Sequence, residues 1–351
     1  MKVAERNPST PPAALRLPSP AELRAEWPIS AVAESRIART REAIGRILTG
    51  DDARLLVIVG PCSIHDADAA LEYARWLQSI NDGYADRLLI VMRAYVEKAR
   101  TRLGWKGLLH DPRLDGSARI DEGVRMARQL LVAINELGVP VATEVLDPFA
   151  AACLGDTLSW AAIGARTSES PAHRELAAWL RCPVGFKNTT AGSVAVAINA
   201  VVAARPPQRV MGIDVDGRAA MFETTGNADA HIILRGGGGQ TNYDSVSIEH
   251  AAEALSAQGL PDRLIVDCSH GNSRGDFRNQ VTVAAEIGRQ LAGGSTAIAG
   301  IMLESHLVEG RQSPAPNGAM LAGQSITDGC LGLAETVEVL DRLAEAHRAS
   351  S

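Results

Sequence analysis

The sequence predicts one α/β domain, a (β/α)8 TIM barrel, from three observations. Apolar runs of strand length recur eight times along the 351 residues, and helical stretches separate many of them. Hydrophobic residues make up 46% of the chain but aromatic residues only 4%, which is typical of an aliphatic core of buried parallel strands. Several runs also end in a polar residue, at the end of the strand where barrel enzymes carry their active sites. A doubly wound sheet is the alternative, but it rarely puts functional residues on every strand.

The elements follow one another in a regular order. Residues 1–30 are rich in proline and are expected to form a loosely ordered N-terminal arm, whereas residues 31–351 are expected to form the barrel as one catalytic domain. A first helix is predicted over residues 31–48, where Ile37, Ile44 and Ile47 share one face. The strands are predicted at 55–59, 88–93, 139–144, 160–165, 183–187, 231–235, 264–267 and 298–304. Helices are predicted between many of them, for example at 122–137, 193–204, 248–258 and 277–291.

Residues 208–225 do not fit this alternation of strand and helix. Apolar and polar residues alternate there around Asp216 and Gly217, a dipeptide typical of a tight hairpin turn. We therefore predict a β-hairpin inserted before the sixth barrel strand. The four glycines at 236–239 cannot sustain a strand, and they are predicted to form a mobile loop near the active site.

Composition argues against several classes of function. The net charge is −6, so the chain offers no basic stripe with which to neutralise nucleic-acid phosphates. No apolar run reaches the length of a membrane span, and the N-terminus lacks the apolar core of a signal peptide. We therefore expect a cytoplasmic protein that binds neither nucleic acid nor membranes. The five cysteines are odd in number and widely spaced, which argues against a disulfide framework.

Residues of metal-ligand type lie at or after the ends of predicted strands: Cys62, His270, Glu304 and Asp328. A thiolate, an imidazole and two carboxylates suit a first-row divalent ion, Mn²⁺, Fe²⁺, Co²⁺ or Zn²⁺, better than Ca²⁺. No short spacing unites the four, so each could instead be a buried thiol, a hydrogen-bonded imidazole or a solvated acid. Their joint arrival at strand ends favours a metal site. His65 and His306 are further imidazoles nearby, for which we expect structural or supporting roles.

Cationic side chains arrive at or just after the same strand ends: Arg93, Lys98, Arg100, Arg166, Lys187 and Arg235. Six cations at one barrel mouth would repel each other unless an anionic ligand compensates their charge. Arginine suits bidentate recognition of phosphate or carboxylate, and lysine supplies a point charge or a proton. Each could also be a solvent-exposed surface residue, which is the stronger interpretation for Arg100 alone. Glu144 brings an acid to the same level, and Thr101 brings a hydroxyl.

The chain resembles the type I 3-deoxy-D-arabino-heptulosonate 7-phosphate (DAHP) synthases over residues 17–343. The motifs that carry the resemblance are GPCSIHD from Gly60, MRAYVEKART from Met92 with GWKG after it, GARTSES, PVGFKN, HIILRGG, DCSHGNS, ESHLVEG and SITD. The resemblance implies a TIM barrel with an N-terminal extension and an inserted hairpin. It also implies a homodimer or a homotetramer.

The resemblance further implies an activity and a set of site residues. Phosphoenolpyruvate (PEP) would condense with erythrose 4-phosphate and water and release phosphate, the first step of the shikimate pathway towards aromatic amino acids. The divalent metal ion would be bound by Cys62, His270, Glu304 and Asp328. PEP would be held by Arg93, Lys98, Glu144, Gly164, Ala165, Arg166, Lys187 and Arg235. The aldose phosphate would meet Lys98, Ala99, Arg100, Thr101 and Asp328. The catalytic groups would be Lys98, as the proton carrier, with Cys62 and His270.

Two departures from the family pattern lead to expectations of their own. The family usually has proline where this chain has Ala99, and the loss of a fixed φ predicts weaker or broader recognition of the aldose phosphate. The positions that correspond to the family's pocket for aromatic amino acids carry unusual residues here: Pro148, Ala152, Arg181, Val210, Gly212 and Phe222. We therefore predict little or no feedback inhibition by phenylalanine, tyrosine or tryptophan. Such an enzyme would suit a dedicated secondary pathway.

Three alternatives remain open at this point. The same chemistry could act on a different aldose phosphate. The chain could be a catalytically silent, ligand-binding paralogue, although it retains every ligand type and every cation of the motifs. A metallohydrolase is the third alternative, but such sites usually cluster histidines and this chain has only eight.

Overall fold

The structure, a computed structural model, describes residues 14–315 and 320–349. Its strands are β1 (Leu55–Gly60), β2 (Leu88–Arg93), β3 (Val141–Glu144), β4 (Trp160–Ile163), β5 (Val184–Lys187), β6 (Gln208–Ile213), β7 (Ala219–Thr224), β8 (His231–Leu234), β9 (Leu264–Asp267), β10 (Ile298–Glu304), β11 (Val308–Arg311) and β12 (Gln324–Ser325). Its helices are α1 (Pro20–Glu26), α2 (Ala31–Thr49), α3 (Ala67–Asn81), α4 (Ile120–Glu136), α5 (Pro148–Leu154), α6 (Pro171–Trp179), α7 (Val194–Ala204), α8 (Ser245–Ser256), α9 (Asn279–Ala292) and α10 (Leu333–Ala349). Within the described ranges, no helix has the length and apolar character needed to cross a bilayer.

Eight parallel strands close into a barrel in the order β1-β10-β9-β8-β5-β4-β3-β2. The closing pair is β1 with β10, in which Val57 lies opposite Ile301 and Gly60 opposite Glu304. Because all eight strands are parallel, their carboxyl ends meet at one rim. The fold prediction is confirmed, and the eight predicted strands match the observed ones to within two residues at each end.

The core follows the two-residue period of the strands. Along β1, Leu56 and Ile58 point into the barrel and pack with residues such as Trp160. Leu55, Val57 and Val59 point outward, under the helices. Both sides of the strands are therefore buried, which explains why the strands read as continuous apolar runs.

The predicted hairpin is confirmed. Strands β6 and β7 pair antiparallel, with Met211 opposite Met221, and form a two-stranded sheet outside the barrel. The turn between them contains Gly217 at φ 82°, a left-handed conformation that glycine adopts without strain. The hairpin precedes β8, the sixth strand of the barrel in chain order.

Part of the segment expected to be a loose arm forms a short helix, so that expectation was wrong for residues 20–26. Ser19 accepts a hydrogen bond from the backbone of Glu22, whose side chain accepts one from the backbone of Ser19. This capping box starts α1, Pro20 fits its first turn, and Leu23 is fully buried. Seven residues are too few for an apolar period to show in the sequence. Residues 1–13 lie outside the described part.

The glycine run at 236–239 is packed closely against neighbouring backbone. A Cβ atom on Gly236 would lie 2.6 Å from the carbonyl carbon of Gly271, and one on Gly237 would lie 2.5 Å from the nitrogen of Gly192. Glycine is required there because two backbone segments approach each other. The run therefore joins the loops after β5, β8 and β9. The predicted mobility of this loop stays a prediction.

A buried histidine at the opposite end of the barrel leads to a prediction about acid stability. Trp160 donates from Nε1 to Nε2 of His231 at 3.2 Å, and His231 donates from Nδ1 to the carbonyl of Asp229 at 2.8 Å. Burial lowers the pKa of His231 to about 4, although the Asp229 carbonyl acts in the opposite direction. The unfolded chain therefore takes up a proton at this position between about pH 6.5 and pH 4, while the folded chain does not.

Stability should accordingly fall as the pH falls through that window. We expect His231 to account for about 2 kcal/mol of the loss in unfolding free energy between pH 7 and pH 5. A His231→Gln variant should lose correspondingly less over this range. A His250→Gln variant, changed at an exposed position of α8, should behave like the wild type. Urea unfolding at both pH values measures the difference, and equal losses in all three proteins would contradict the prediction.

Candidate active site

Three of the four predicted metal ligands meet at the carboxyl rim of the barrel. Cys62 follows β1, Glu304 ends the neighbouring β10, and Asp328 follows β12. One ligand atom from each lies within 4.8 Å of the other two. Cys62 and Glu304 are fully buried, whereas the side chain of Asp328 is 54% exposed. The opening of this group therefore faces the barrel mouth.

The fourth predicted ligand, His270, lies beside this group and not within its 4.8 Å limit. Its Nε2 is 3.7 Å from Oε1 of Glu304, and its Nδ1 is 2.9 Å from Oδ2 of Asp267. A carboxylate behind one ring nitrogen, with the other nitrogen towards the ligand group, is an arrangement found in many metal-binding histidines. The backbone of His270 has φ 57°, an uncommon value for a residue with a side chain. The local backbone is thus held in a costly conformation at the site.

The donor set fits a divalent ion. A thiolate with two carboxylates and an adjacent imidazole matches the ligand preference of Mn²⁺, Fe²⁺, Co²⁺ and Zn²⁺. Glu304 is further oriented by Ser269, which donates to Oε2 at 2.8 Å. Although its burial acts to raise the pKa of Glu304, His270 and Arg93 lower it, and the carboxylate is ionised. The residues present can therefore hold such an ion.

The sulfur of Cys62 accepts hydrogen bonds from two sides. Nζ of Lys98 lies 3.0 Å from Sγ, and Oγ1 of Thr327 donates to it at 3.1 Å. Burial, together with Glu304, raises the pKa of the thiol to about 11 despite the attraction of Lys98. Lys98 alone is therefore not enough to keep the sulfur as a thiolate, and a metal ion bound beside it would be needed for that form.

Arg93 differs from the other cations in being only 1% exposed. It donates from Nη2 to the Cys62 carbonyl and to Oε1 of Glu304, both at 3.0 Å, and from Nε to the Pro61 carbonyl at 3.0 Å. Its guanidinium also lies 3.5 Å from the ring centre of Tyr95. These contacts place Arg93 beneath the metal ligands. A direct contact with PEP stays a prediction.

The remaining cations of the predicted clamp lie around the same rim. Nζ of Lys187 is 2.7 Å from Oδ2 of Asp267, deep in the site. Arg235 donates from Nη1 to the Gly236 carbonyl at 3.1 Å. Burial lowers the pKa of Arg235, Asp267 acts to raise it, and the nearby guanidinium of Arg166 acts to lower it. Two arginines that repel each other at the barrel rim form a site for an anion.

Glu144 and the backbone after β4 form the opposite wall. A Cβ atom on Gly164 would lie 1.9 Å from Oε1 of Glu144, so the carboxylate rests directly against this glycine. Only glycine leaves room for that side chain. Ala165 follows immediately and is partly exposed, as is Glu144 itself. These positions agree with the predicted contacts to PEP but do not test them.

The segment predicted to meet the aldose phosphate extends from the end of β2. Its base is held because the amide of Lys98 donates to the Lys106 carbonyl at 2.9 Å. Arg100 and Thr101 are exposed beyond it, while Ala99 is partly buried. Thr101 accepts a hydrogen bond from Nε of Arg166 at 2.7 Å. This contact joins the segment to the anion clamp.

Two polar residues that sequence reasoning missed support the site. Asp267 binds both Lys187 and His270, and Thr327 donates to the sulfur of Cys62. Asp267 ends β9 in the motif DCSHGNS, so its place at a strand end was a signal that could have been used.

The expected structural role of His306 is consistent with its Nδ1 accepting from the Leu307 amide. All five cysteines are buried and free, as the sequence predicts.

Comparison with known proteins gives one consistent result. A model of the DAHP synthetase I family matches residues 28–341. The Trp-sensitive phospho-2-dehydro-3-deoxyheptonate aldolase of Enterobacter agglomerans is 50% identical over 328 residues, 93% of this chain and 94% of that protein. The Trp-sensitive and Phe-sensitive proteins of Escherichia coli K12 are each 48% identical over 330 residues, 94% of both chains.

A solved structure agrees with these sequences. The phospho-2-dehydro-3-deoxyheptonate aldolase of Francisella tularensis SCHU S4 has a TM-score of 0.95 and 40% sequence identity, over 97% of this chain and all of that one. The same family is thus indicated by the barrel fold, by the cations at its rim and by the named relatives. The chain therefore belongs to the DAHP synthetase I family, and it is an enzyme.

Proposed function

We propose that the protein condenses PEP with D-erythrose 4-phosphate and water, with the help of a divalent metal ion, to give DAHP and phosphate. The observation that carries this proposal is that the possible metal ligands Cys62, Glu304 and Asp328 lie together at the rim. Lys98, one of the cations expected to hold the substrates, contacts two of them there. The relatives' names and the family match support the same reaction. The ion would be Mn²⁺, Fe²⁺, Co²⁺ or Zn²⁺, bound by Cys62, His270, Glu304 and Asp328.

The clamp would hold PEP through its two anionic groups. Arg166 and Arg235 carry donors towards the mouth, and Lys187 adds a buried positive charge beneath them. Glu144 and the Gly164–Ala165 backbone would limit the opposite side and position a water molecule. Fixing PEP in this way supplies proximity and orientation between its C3 and the aldose carbonyl.

The chemistry then follows from groups already in place. When bound, the metal ion would polarise the aldehyde carbonyl of erythrose 4-phosphate. The C3 carbon of PEP attacks that carbonyl carbon, a water oxygen adds at C2, and phosphate leaves with its bridging oxygen. Lys98, on the loop after β2, would transfer a proton to the new alkoxide, and Glu144 would orient the water.

A panel of aldose phosphates tests the substrate. We expect phosphate release from PEP to be fastest with erythrose 4-phosphate among erythrose 4-phosphate, ribose 5-phosphate and arabinose 5-phosphate. A clear preference for another aldose would favour the alternative acceptor. Phosphate release with none of them, in a protein that binds PEP, would favour a silent paralogue.

Ala99 leads to a narrower prediction about the acceptor. Proline at this position would fix φ before the aldose phosphate binds and reduce the ordering cost. We expect an Ala99→Pro variant to have a KM for erythrose 4-phosphate about two- to fivefold lower, with an unchanged KM for PEP. Steady-state kinetics measures both constants. Equal acceptor constants in the two proteins would contradict this view of the segment.

Feedback regulation is proposed to be weak, although the relatives above include proteins named Trp-sensitive and Phe-sensitive. A cavity of about 100 Å³ does lie beside the hairpin, against Pro148, Trp179 and Gly212. Gly212 contributes no side chain, and therefore no hydroxyl, to the cavity wall, and a Cβ atom there would lie 3.0 Å from the ring of Phe222. Glu175 is the only charged side chain among the lining residues of this cavity, so the α-carboxylate of an amino acid would find no cationic partner there.

We therefore expect phenylalanine, tyrosine and tryptophan each to leave the rate nearly unchanged at concentrations up to about 1 mM. The Phe-sensitive relative of E. coli serves as the positive control in the same assay. Strong inhibition at micromolar concentrations of any of the three would contradict the proposal.

Assembly and organisation complete the proposal. A homodimer or homotetramer, an N-terminal arm over residues 1–30, a catalytic domain over residues 31–351 and a cytoplasmic location stay predictions. Size-exclusion chromatography with light scattering measures the first of these.

A further inference from the structure

The buried acids around the metal ligands are already neutralised by this chain's own cations. Three pairs do so: Arg93 with Glu304, Lys187 with Asp267, and Lys98 with Asp328. Of these three cations, Lys98 is the one whose charged atom also contacts the thiol, at 3.0 Å from Sγ of Cys62. Its ammonium therefore contacts two of the three side chains grouped for a metal. A divalent ion at the same place would add one net positive charge to this balanced cluster, even after the thiol of Cys62 has given up its proton.

The three cations differ in how firmly the protein holds them, and therefore in how readily each could give up its contacts to a metal ion. Arg93 is 1% exposed and held by the carbonyls of Pro61 and Cys62. Lys187 is the last residue of the barrel strand β5, and its side chain is 6% exposed. The side chain of Lys98 is 12% exposed on a loop, and its partner Asp328 is 54% exposed. The flexible lysine stem can turn towards the mouth without breaking the barrel.

We infer that Lys98 is an internal counter-ion that holds Cys62 and Asp328 in the metal-free protein and is displaced from them when the metal binds. This inference rests on the metal dependence proposed above and deepens it. The metal and the ammonium compete for the same two ligands, so Lys98 weakens metal binding. Once displaced, Lys98 faces the anion clamp, where Arg166 and Arg235 repel each other. Metal binding and PEP binding are therefore coupled through this one side chain.

The first test measures metal affinity without turnover. Metal-free wild type, Lys98→Met and Lys98→Gln are titrated with Mn²⁺ by calorimetry, with Lys106→Met as the control. Lys106 is exposed on the same loop, and it accepts a hydrogen bond from the Lys98 amide through its backbone carbonyl, which the substitution leaves in place. We expect both Lys98 variants to bind Mn²⁺ about tenfold more tightly than the wild type and the control. Equal or weaker binding by a Lys98 variant that retains the wild-type circular dichroism spectrum would overturn the inference.

The second test separates displacement of Lys98 from simple charge repulsion. PEP affinity is measured with and without Mn²⁺ for the same four proteins. We expect Mn²⁺ to strengthen PEP binding by about fivefold or more in the wild type and the control, and clearly less in both Lys98 variants. The same enhancement in all four proteins would overturn the coupling. Should the wild type bind no divalent ion, the proposed function itself fails, whereas unaltered affinities in an active, metal-binding wild type refute only the inference.

Discussion

Replacing Cys62 with serine should lower Mn²⁺ affinity by at least about a hundredfold and reduce condensation by about a thousandfold or more. The sulfur lies within 4.8 Å of ligand atoms from Glu304 and Asp328, and it accepts from Lys98 and Thr327. A serine hydroxyl is a much poorer ligand for a first-row ion than a thiolate. Metal content after dialysis and the rate of phosphate release measure the two effects.

Another buried cysteine provides a matched control. Cys182 is 2% exposed and precedes β5 at the other end of the strand from the rim. A Cys182→Ser variant should keep both its metal and its rate, even if its melting temperature falls. Retention of metal and activity by Cys62→Ser would show that the thiol does not bind the ion.

Removing the side chain of Arg235 should reduce kcat/KM for PEP by about a hundred- to a thousandfold. Within the described residues the side chain of Arg235 donates one hydrogen bond, to the Gly236 carbonyl, and burial lowers its pKa although Asp267 acts to raise it. Burial therefore disfavours the charge of Arg235 by more than the nearby Asp267 favours it, and a bound anion would add to that favourable attraction. An Arg235→Met variant should therefore fold at least as stably as the wild type while binding PEP poorly.

The combination of lost affinity and retained stability distinguishes a binding role from a structural one. Thermal unfolding and PEP titration are measured on the same preparations. An Arg209→Met variant, altered on the exposed hairpin, removes one cation far from the rim and should change neither quantity. A large loss of stability in Arg235→Met with unchanged PEP affinity would contradict the clamp.

Sequence patterns predicted the fold well because a parallel strand that is buried on both faces requires apolar residues at consecutive positions, and such a run is visible in the sequence. Strands β2, β9 and β10 begin and end where the sequence predicts, and the hairpin turn falls at Gly217. The approach of Cys62 and Glu304 was also predictable, because polar residues at the ends of parallel strands share one rim. Asp328 follows β12, which lies outside the barrel sheet, so this argument does not place it there.

Other features depend on contacts between distant segments and have no local signal. The helix α1 is too short to show a period, although Arg128 of α4 anchors it by donating to the Leu23 and Trp27 carbonyls. The positive φ of His270 arises from the packing of its loop. The burial of Arg93 beneath Glu304 depends on the register between β1, β2 and β10, which the sequence leaves open.

The central claim is that a metal held by Cys62 and its neighbours acts together with the anion clamp in a single reaction. The most direct test is phosphate release from PEP by protein treated with EDTA, with erythrose 4-phosphate present, before and after Mn²⁺ is restored. We predict phosphate release only after Mn²⁺ is restored, and none when erythrose 4-phosphate is omitted. Phosphate release at the full rate in EDTA, or release that does not need the aldose, would contradict the claim.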